Sequence, residues 1–466
     1  MPSNNNKINF SGLIILCVLF SCIGIAFLNN GVYLLFCLIT FYGILFILWR
    51  NNRPGIIVFA FLMQWIQIVS FVIWMNNNSW DIDHLSTHGG VAVSLSCLGL
   101  IIMCSIVAKG IKNLPVPTKE YLNSQAKLIN EKKIFILYIS STFFLGSIGF
   151  AFGQTSGFAQ IVLTLESVKW IFFLTYGYVA WINKKNRITL MLMILFEFGS
   201  GLYSYFSTFK EVIFMTIILA LTFISAINFR QFINVFLMGL IIGFLLLTWT
   251  SIKGNYRTFL NQGKRQQVVD VSRSEAFDKM SEEISALTWS DYQSAINVFL
   301  YRAQYILHLS KTIDRVPNVL PYKYGQLWWE NISYVLEPRL FFPDKPIYDA
   351  TTKTNKYTGY KFAGAKLGAS FSLGYFADSY IDFGYIGMFI PLSLIALFVV
   401  FIYTKIFVFY KLNILLRYSL INIALFDFAS FESDGLFLFG RLLLMFLVTW
   451  FLCKVVIPPL QRWLYK

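Results

Sequence analysis

Long apolar runs, broken by short polar loops, organise this chain. A helix that crosses a membrane needs roughly 20 apolar residues in succession. Twelve runs approach that length: 10–28, 31–49, 55–75, 89–108, 134–152, 161–182, 188–206, 212–227, 232–251, 384–403, 415–430 and 435–456. The stretch 252–383 holds no such run. Within it, Tyr292, Ile296, Phe299, Ala303 and Ile306 recur at the spacing of an amphipathic helix. Pro317 and Pro321 end that helix. After them, "GQLWWENISYVLEPRLFFPDKP" and a Lys/Thr/Tyr/Gly-rich run to Lys366 read as loop. The first run, 10–28, is too long and lacks the basic start of a cleavable signal, and another run follows at once. The pattern predicts an all-α integral membrane protein of about twelve spanning helices. Nine crossings fall in 1–251, a long loop region with amphipathic helices in 252–383, and three crossings in 384–466.

Composition agrees. The 466 residues are 57% hydrophobic and only 13% charged, with a mean hydropathy of +0.63. A soluble domain carries about 25% charged residues. The net charge of +15 would fit nucleic acid, but the positions of the basic residues exclude that. Arg50, Arg53, Lys109, Lys112, Lys119, Lys127, Lys184, Lys185, Arg187, Lys405 and Lys411 fall in loops after even-numbered runs. The loops "NNNSWDIDHLSTH" and "GQTSGFAQ", after odd-numbered runs, hold no Lys or Arg. This is the positive-inside pattern. It places both termini in the cytoplasm and 252–383 on the outer side. The six cysteines all fall inside apolar runs, without metal-binding spacing. His84 and His88 share a loop with no third ligand near in sequence.

An ionisable group in hydrocarbon costs roughly 3 kcal/mol or more, so each one needs a reason. The first four runs hold none and read as scaffold against lipid. The later runs hold Glu166, Lys169, Glu197, Asp427 and Arg441, with Lys210, Glu211, Glu432 and Asp434 at their outer ends. Glu166 and Lys169, three apart, can neutralise each other. Asp427 and Arg441 can pair between neighbouring helices. Apart from Glu197, all these groups lie towards the outer side. Lys210, Arg257, Arg302 and Arg339 form a set of cations facing the same side, and such side chains suit a phosphate-bearing ligand at the membrane surface.

Two segments carry a resemblance. "EPRLFFPDKP" closes the long loop, with Pro338, Arg339, Pro343, Lys345 and Pro346. "LGYFADSYIDFGYIGMF" leads into the next run, with Gly374, Tyr375, Asp378, Tyr380, Phe383, Gly384 and Gly387. Together with the order of the runs, they resemble the Wzy-type polymerases of bacterial O-antigen and exopolysaccharide repeat units. The resemblance covers about 190–400 by motif and the whole chain by topology. Where that family has Gly-Ser-Lys/Arg-Gly before a middle span, this chain has Ser207, Thr208, Phe209, Lys210 and Glu211, with Lys210 at the basic position.

The resemblance implies a GT-C-like membrane glycosyltransferase that needs no metal or other cofactor. It would sit in the bacterial cytoplasmic (inner) membrane, with its active site on the periplasmic side. Donor and acceptor would be oligosaccharides on undecaprenyl pyrophosphate, and a chain-length regulator is an expected protein partner. In this reading Arg339 and Arg302 act on the leaving pyrophosphate, and Glu432 or Asp378 is the proton acceptor, with Glu211 a third candidate. Lys210, Arg257, Lys345 and Arg441 bind pyrophosphate. Trp328, Trp329 and Tyr380, with Tyr334, Tyr348 and Tyr360, meet the glycan. Two other readings stay open. One is an O-antigen ligase, which passes the glycan to lipid A core. The other is a lipid-linked oligosaccharide flippase or transporter, which calls for charges near the midplane, interrupted helices and related halves.

Overall fold

The structure is a computed structural model describing residues 14, 18, 21–24, 28–152, 164–202, 209–224, 229–263, 270–338, 341–342, 344–346, 348–363 and 370–465. The run 10–28 lies almost wholly outside the described residues, and so do Arg339 and Pro343. The N-terminal part is α1 (Gly31–Leu48), α2 (Ile56–Asn77), α3 (Gly89–Ile111), α4 (Lys119–Leu128), α5 (Glu131–Phe152), α6 (Lys169–Asn183), α7 (Arg187–Leu202), α8 (Phe209–Phe223) and α9 (Phe229–Leu260). The middle adds α10 (Arg273–Ser285), α11 (Trp289–Ala303), α12 (Ile306–Arg315), α13 (Gln326–Leu336), α14 (Ala350–Thr358) and α15 (Tyr375–Gly387). The end is α16 (Phe389–Phe407), α17 (Ile414–Ala424), α18 (Gly435–Phe451) and α19 (Ile457–Leu464). Ile129 and Tyr465 form an isolated antiparallel bridge.

Among the described residues, five helices are long and apolar enough to cross a membrane: α1, α2, α3, α16 and the run Gly435–Leu464. The chain is a membrane protein. Several other apolar helices are shorter over the described residues. Helices α6, α7 and α8 have 15, 16 and 15 residues, and α17 has 11. The division expected at 251 falls inside α9, which runs unbroken to Leu260. Two middle helices start where the sequence supplies caps. Ser272 and Glu275 form a capping box on α10, and Thr288 and Asp291 form one on α11.

Helices α11 and α12, inside the stretch 252–383, pack against the long apolar helices. Helix α11 runs down beside α2. Asn77 Nδ2 donates to Asn297 Oδ1 at 2.7 Å, Trp74 packs on Tyr301, and the Tyr305 N–H donates to the Gln67 carbonyl at 3.3 Å. From Asn77 to Gln67 is a descent of about 15 Å. Helix α12 climbs back, and Asp314 meets Thr87 and His88 at the start of α3, both at 2.7 Å. The pair is a helical hairpin with its tip at Tyr305. The amphipathic period fits a helix packed in a bundle as well as one at a surface.

Helix α15 begins at a similar depth, with the Phe376 ring over Gly99 of α3. It rises to Gly384, whose φ of 67° and ψ of −162° break the helix, and α16 descends until Leu392 again meets Gly99. A side chain at Gly384 would be strained at that φ, and its Cβ would lie 3.2 Å from the Tyr322 ring. The expected crossing 415–430 is interrupted. Helix α17 stops at Ala424, a 3₁₀ turn spans Phe426–Ala429, and α18 begins only at Gly435.

Candidate functional site

Non-helical backbone at membrane depth must find its hydrogen bonds inside the protein. Here two amides of α2 supply them. Gln64 is fully buried; its Nε2 donates to the Phe428 carbonyl at 2.6 Å, and its Oε1 accepts from the Tyr375 hydroxyl at 2.6 Å. Gln67, one turn on, accepts the Phe431 N–H on Oε1 at 2.9 Å and donates from Nε2 to Glu432. Its carbonyl takes the Tyr305 N–H. The Tyr305 hydroxyl donates to the Ser372 carbonyl at 2.7 Å, and the Tyr375 N–H to the Ser433 carbonyl at 2.8 Å. The hairpin tip, the start of α15 and the break between α17 and α18 thus meet halfway along α2. Glu432, half-buried, is the carboxylate at this junction.

Cations converge nearby. Lys210 opens α8, Lys253 and Arg257 lie on the last two turns of α9, and Arg302 ends α11 one turn before Tyr305. Both lysines lie outside the apolar stretches 212–227 and 232–251. Burial, then Arg302 and Arg257, pull the Lys210 ammonium below the usual lysine range. Burial, with Arg302, Arg257 and Lys210, brings Lys253 down to about 8. The neighbours that set both lysines are therefore other cations. Basic side chains gathered in this way suit an anionic, phosphate-bearing group. The acid and the cations sit on connected elements. Phe214, one turn inside Lys210, packs on Phe426 of the 3₁₀ turn, six residues before Glu432.

Residues 95–458 match the domain of unknown function DUF8712. The chain belongs to this family. The match takes in the cations, Glu432 and every broken segment of this DUF8712 protein, while Gln64 and Gln67 precede it. No curated protein and no solved structure matches the chain.

The other expected site residues of the DUF8712 chain have different surroundings. Asp378 is fully buried. The Lys353 ammonium lies 2.9 Å from both Asp378 and Asp434, and the Gly435 N–H at the start of α18 donates to Asp378 at 2.8 Å. Asp382, one turn on, accepts the Leu327 and Trp328 N–H groups that open α13. Both acids thus serve helix N-termini, where a negative charge meets the positive end of the dipole. Trp328 is buried and directs Nε1 to Ser379 at 3.3 Å, whereas Trp329 is 71% exposed. Tyr380 is buried and donates to the Val316 carbonyl at 2.9 Å.

Lys345 turns to the C-terminal end of α13. It donates to the Tyr334 and Glu337 carbonyls and lies over the Tyr334 ring, as a cation at a helix C-terminus does. Arg441 faces Asp427 at 3.8 Å, the expected pair, and stands apart from the four cations in its partners. Lys169 bonds Glu197 at 2.7 Å, and Tyr138 donates to the same carboxylate at 2.8 Å. The mid-helix Glu197 is thereby satisfied, and Glu166 is not the direct partner of Lys169 that the spacing suggested. Glu211 accepts from Trp170 Nε1 at 3.2 Å.

Lys253, Gln64 and Gln67 escaped the sequence reading. The i,i+4 spacing of Lys253 and Arg257 could have found the first. The paired amides inside "FLMQWIQIV" could have found the others.

Proposed function

We propose that the chain is a membrane-embedded glycosyltransferase that joins oligosaccharide repeat units carried on undecaprenyl pyrophosphate. It works at the outer face of the bacterial cytoplasmic membrane, with both termini in the cytoplasm. The observation that carries the reading is the convergence of Lys210, Lys253, Arg257 and Arg302, where burial and then the neighbouring cations lower both lysines. In the reaction, the acceptor hydroxyl oxygen attacks the donor's anomeric carbon. The bond from that carbon to the pyrophosphate oxygen breaks, and the electron pair leaves with undecaprenyl pyrophosphate. The four cations stabilise the charge that develops there, and Glu432 takes the hydroxyl proton. The Wzy-like motifs support the same reading through scaffold: Asp378, Asp382 and Tyr380 hold the helix ends that frame the site.

One observation favours a second reading. The interrupted α17–α18 crossing and the polar junction halfway along α2 are features a carrier of lipid-linked glycans would use. A strain lacking the gene, complemented with wild type or with Lys253→Ala/Arg302→Ala, separates the readings. Loss of a polymerase leaves single repeat units on lipid A core, or no polymer. Loss of a carrier leaves repeat units trapped on the cytoplasmic side, and loss of a ligase leaves long polymer on undecaprenyl pyrophosphate. The double variant, at normal membrane abundance, is expected to cut polymer formation by about 10²-fold or more. Full-length polymer at normal abundance would overturn the proposal.

A further inference from the structure

We infer that Gln67 is a positioning residue for Glu432, and that α2 is part of the catalytic apparatus as well as of the scaffold. The inference rests on the proposed role of Glu432 as proton acceptor.

The two amides of α2 provide the contrast. They lie one turn apart at the same depth. Gln64 is buried and saturated by a carbonyl and a tyrosine hydroxyl, neither of which titrates at neutral pH. Gln67 is half-buried, and its amide nitrogen goes to a carboxylate. Its remaining groups fix what carries that carboxylate. Oε1 holds the Phe431 N–H, the backbone group next to Glu432, and the Gln67 carbonyl holds the Tyr305 N–H at the hairpin tip. One side chain therefore grips both Glu432 and the peptide before it.

Glu432 sits in a non-helical connection between a 3₁₀ turn and α18, where backbone conformation alone does not fix a side chain. The bond from Gln67 engages Oε2, and among the described residues Oε1 accepts no hydrogen bond. Oε1 is the oxygen left for an acceptor hydroxyl. Arg302 stands one turn before Tyr305, so the same contact sets the leaving-group side of the site against the base. A misplacement of about 1 Å in such a pair costs on the order of 10²-fold in rate.

The test is the turnover of full-length protein in nanodiscs with lipid-linked repeat units, for wild type, Gln67→Met, Gln64→Met, Glu432→Gln and the double variant Gln67→Met/Glu432→Gln. Gln67→Met is expected to lower kcat by about 10–100-fold with KM for the lipid-linked donor unchanged. It should have no further effect in the Glu432→Gln background. Gln64→Met should lower folded protein and activity in proportion, with kcat per folded molecule unchanged. If Gln67→Met fails to fold, Gln67→Asn, which shortens the donor by one methylene but keeps the amide, is read in the same way. Additive losses from Gln67 and Glu432, or a fall in kcat matched by a fall in folded protein, would overturn the positioning role. Full turnover from Glu432→Gln would overturn the base and its positioner together. The pyrophosphate site would then still stand or fall separately, on Lys253→Ala/Arg302→Ala.

Discussion

Removing the Lys353 ammonium should destabilise the fold severely. Lys353 is 8% exposed, and Asp378 and Asp434 are both at 0%. Burial alone would lower this lysine, but the two carboxylates outweigh it and hold it above the usual lysine range. Lys353→Met leaves two buried carboxylates facing each other. Their hydrogen bonds remain: Gly435 N–H to Asp378 at 2.8 Å, and to Asp434 the Phe437 N–H at 3.1 Å and the Tyr348 hydroxyl at 2.5 Å. The loss is therefore that of one partner of a buried ion pair, about 3–5 kcal/mol.

The assay is thermal unfolding in nanodiscs across pH 5–8. In the wild type the raised lysine keeps its contribution through this whole window, because it is lost only as pH passes the folded value, above the usual range. In the variant, the abandoned carboxylates favour the protonated form, so stability lost at pH 8 should return in part at pH 5. Lys353→Met/Asp378→Asn removes the repulsion and should recover at least half of the loss at pH 8. A variant as stable as wild type, or equally damaged at both pH values, would refute the reasoning.

Binding of farnesyl pyrophosphate to the cation cluster should weaken as pH rises from 7 to 9, because Lys253 loses its proton near 8 and the anion binds the charged form. Lys253→Arg should flatten that limb in a calorimetric titration, and a wild-type affinity flat to pH 9 would remove Lys253 from the site. Lys169→Met strands the buried Glu197, 6% exposed, and should cost about 3–5 kcal/mol. Glu197→Gln/Lys169→Met should be milder in the same unfolding assay. A cysteine placed at Ser272 should react with an impermeant maleimide in cells with a permeable outer envelope, and one at Ser124 should not; the reverse pattern would invert the topology.

Some of this architecture is legible because charge is scarce in the chain. Lys210, Arg257 and Arg302 stand out where 57% of residues are hydrophobic, and the structure brings all three together. Lys253 sits just past an apolar run and looks like an ordinary boundary residue. Gln64 and Gln67 are neutral amides, so a search for costly charges in the first four runs passes over them, and α2 reads as lipid-facing scaffold. Its fourteen buried positions show that it is central. The descent of α11 is illegible for another reason. Periodicity identifies an apolar face but not its neighbour, and α2 supplies one as readily as a lipid surface does.

The motif residues teach a different lesson. "FADSYIDF" marks Asp378, Tyr380 and Asp382 as residues whose type matters, and chemistry was the natural guess. In place, their shared task is to receive helix ends: Asp378 takes α18, Asp382 takes α13, and Tyr380 takes the carbonyl of Val316 just past α12. A carboxylate committed to an N–H group at full burial is poorly placed to take a proton from an acceptor sugar. Glu432 differs on each count, since it is half-buried, caps no helix and, among the described residues, keeps one oxygen without an internal donor. In the proposed reaction proton transfer therefore falls to Glu432, and Gln67 is the residue whose loss should show it.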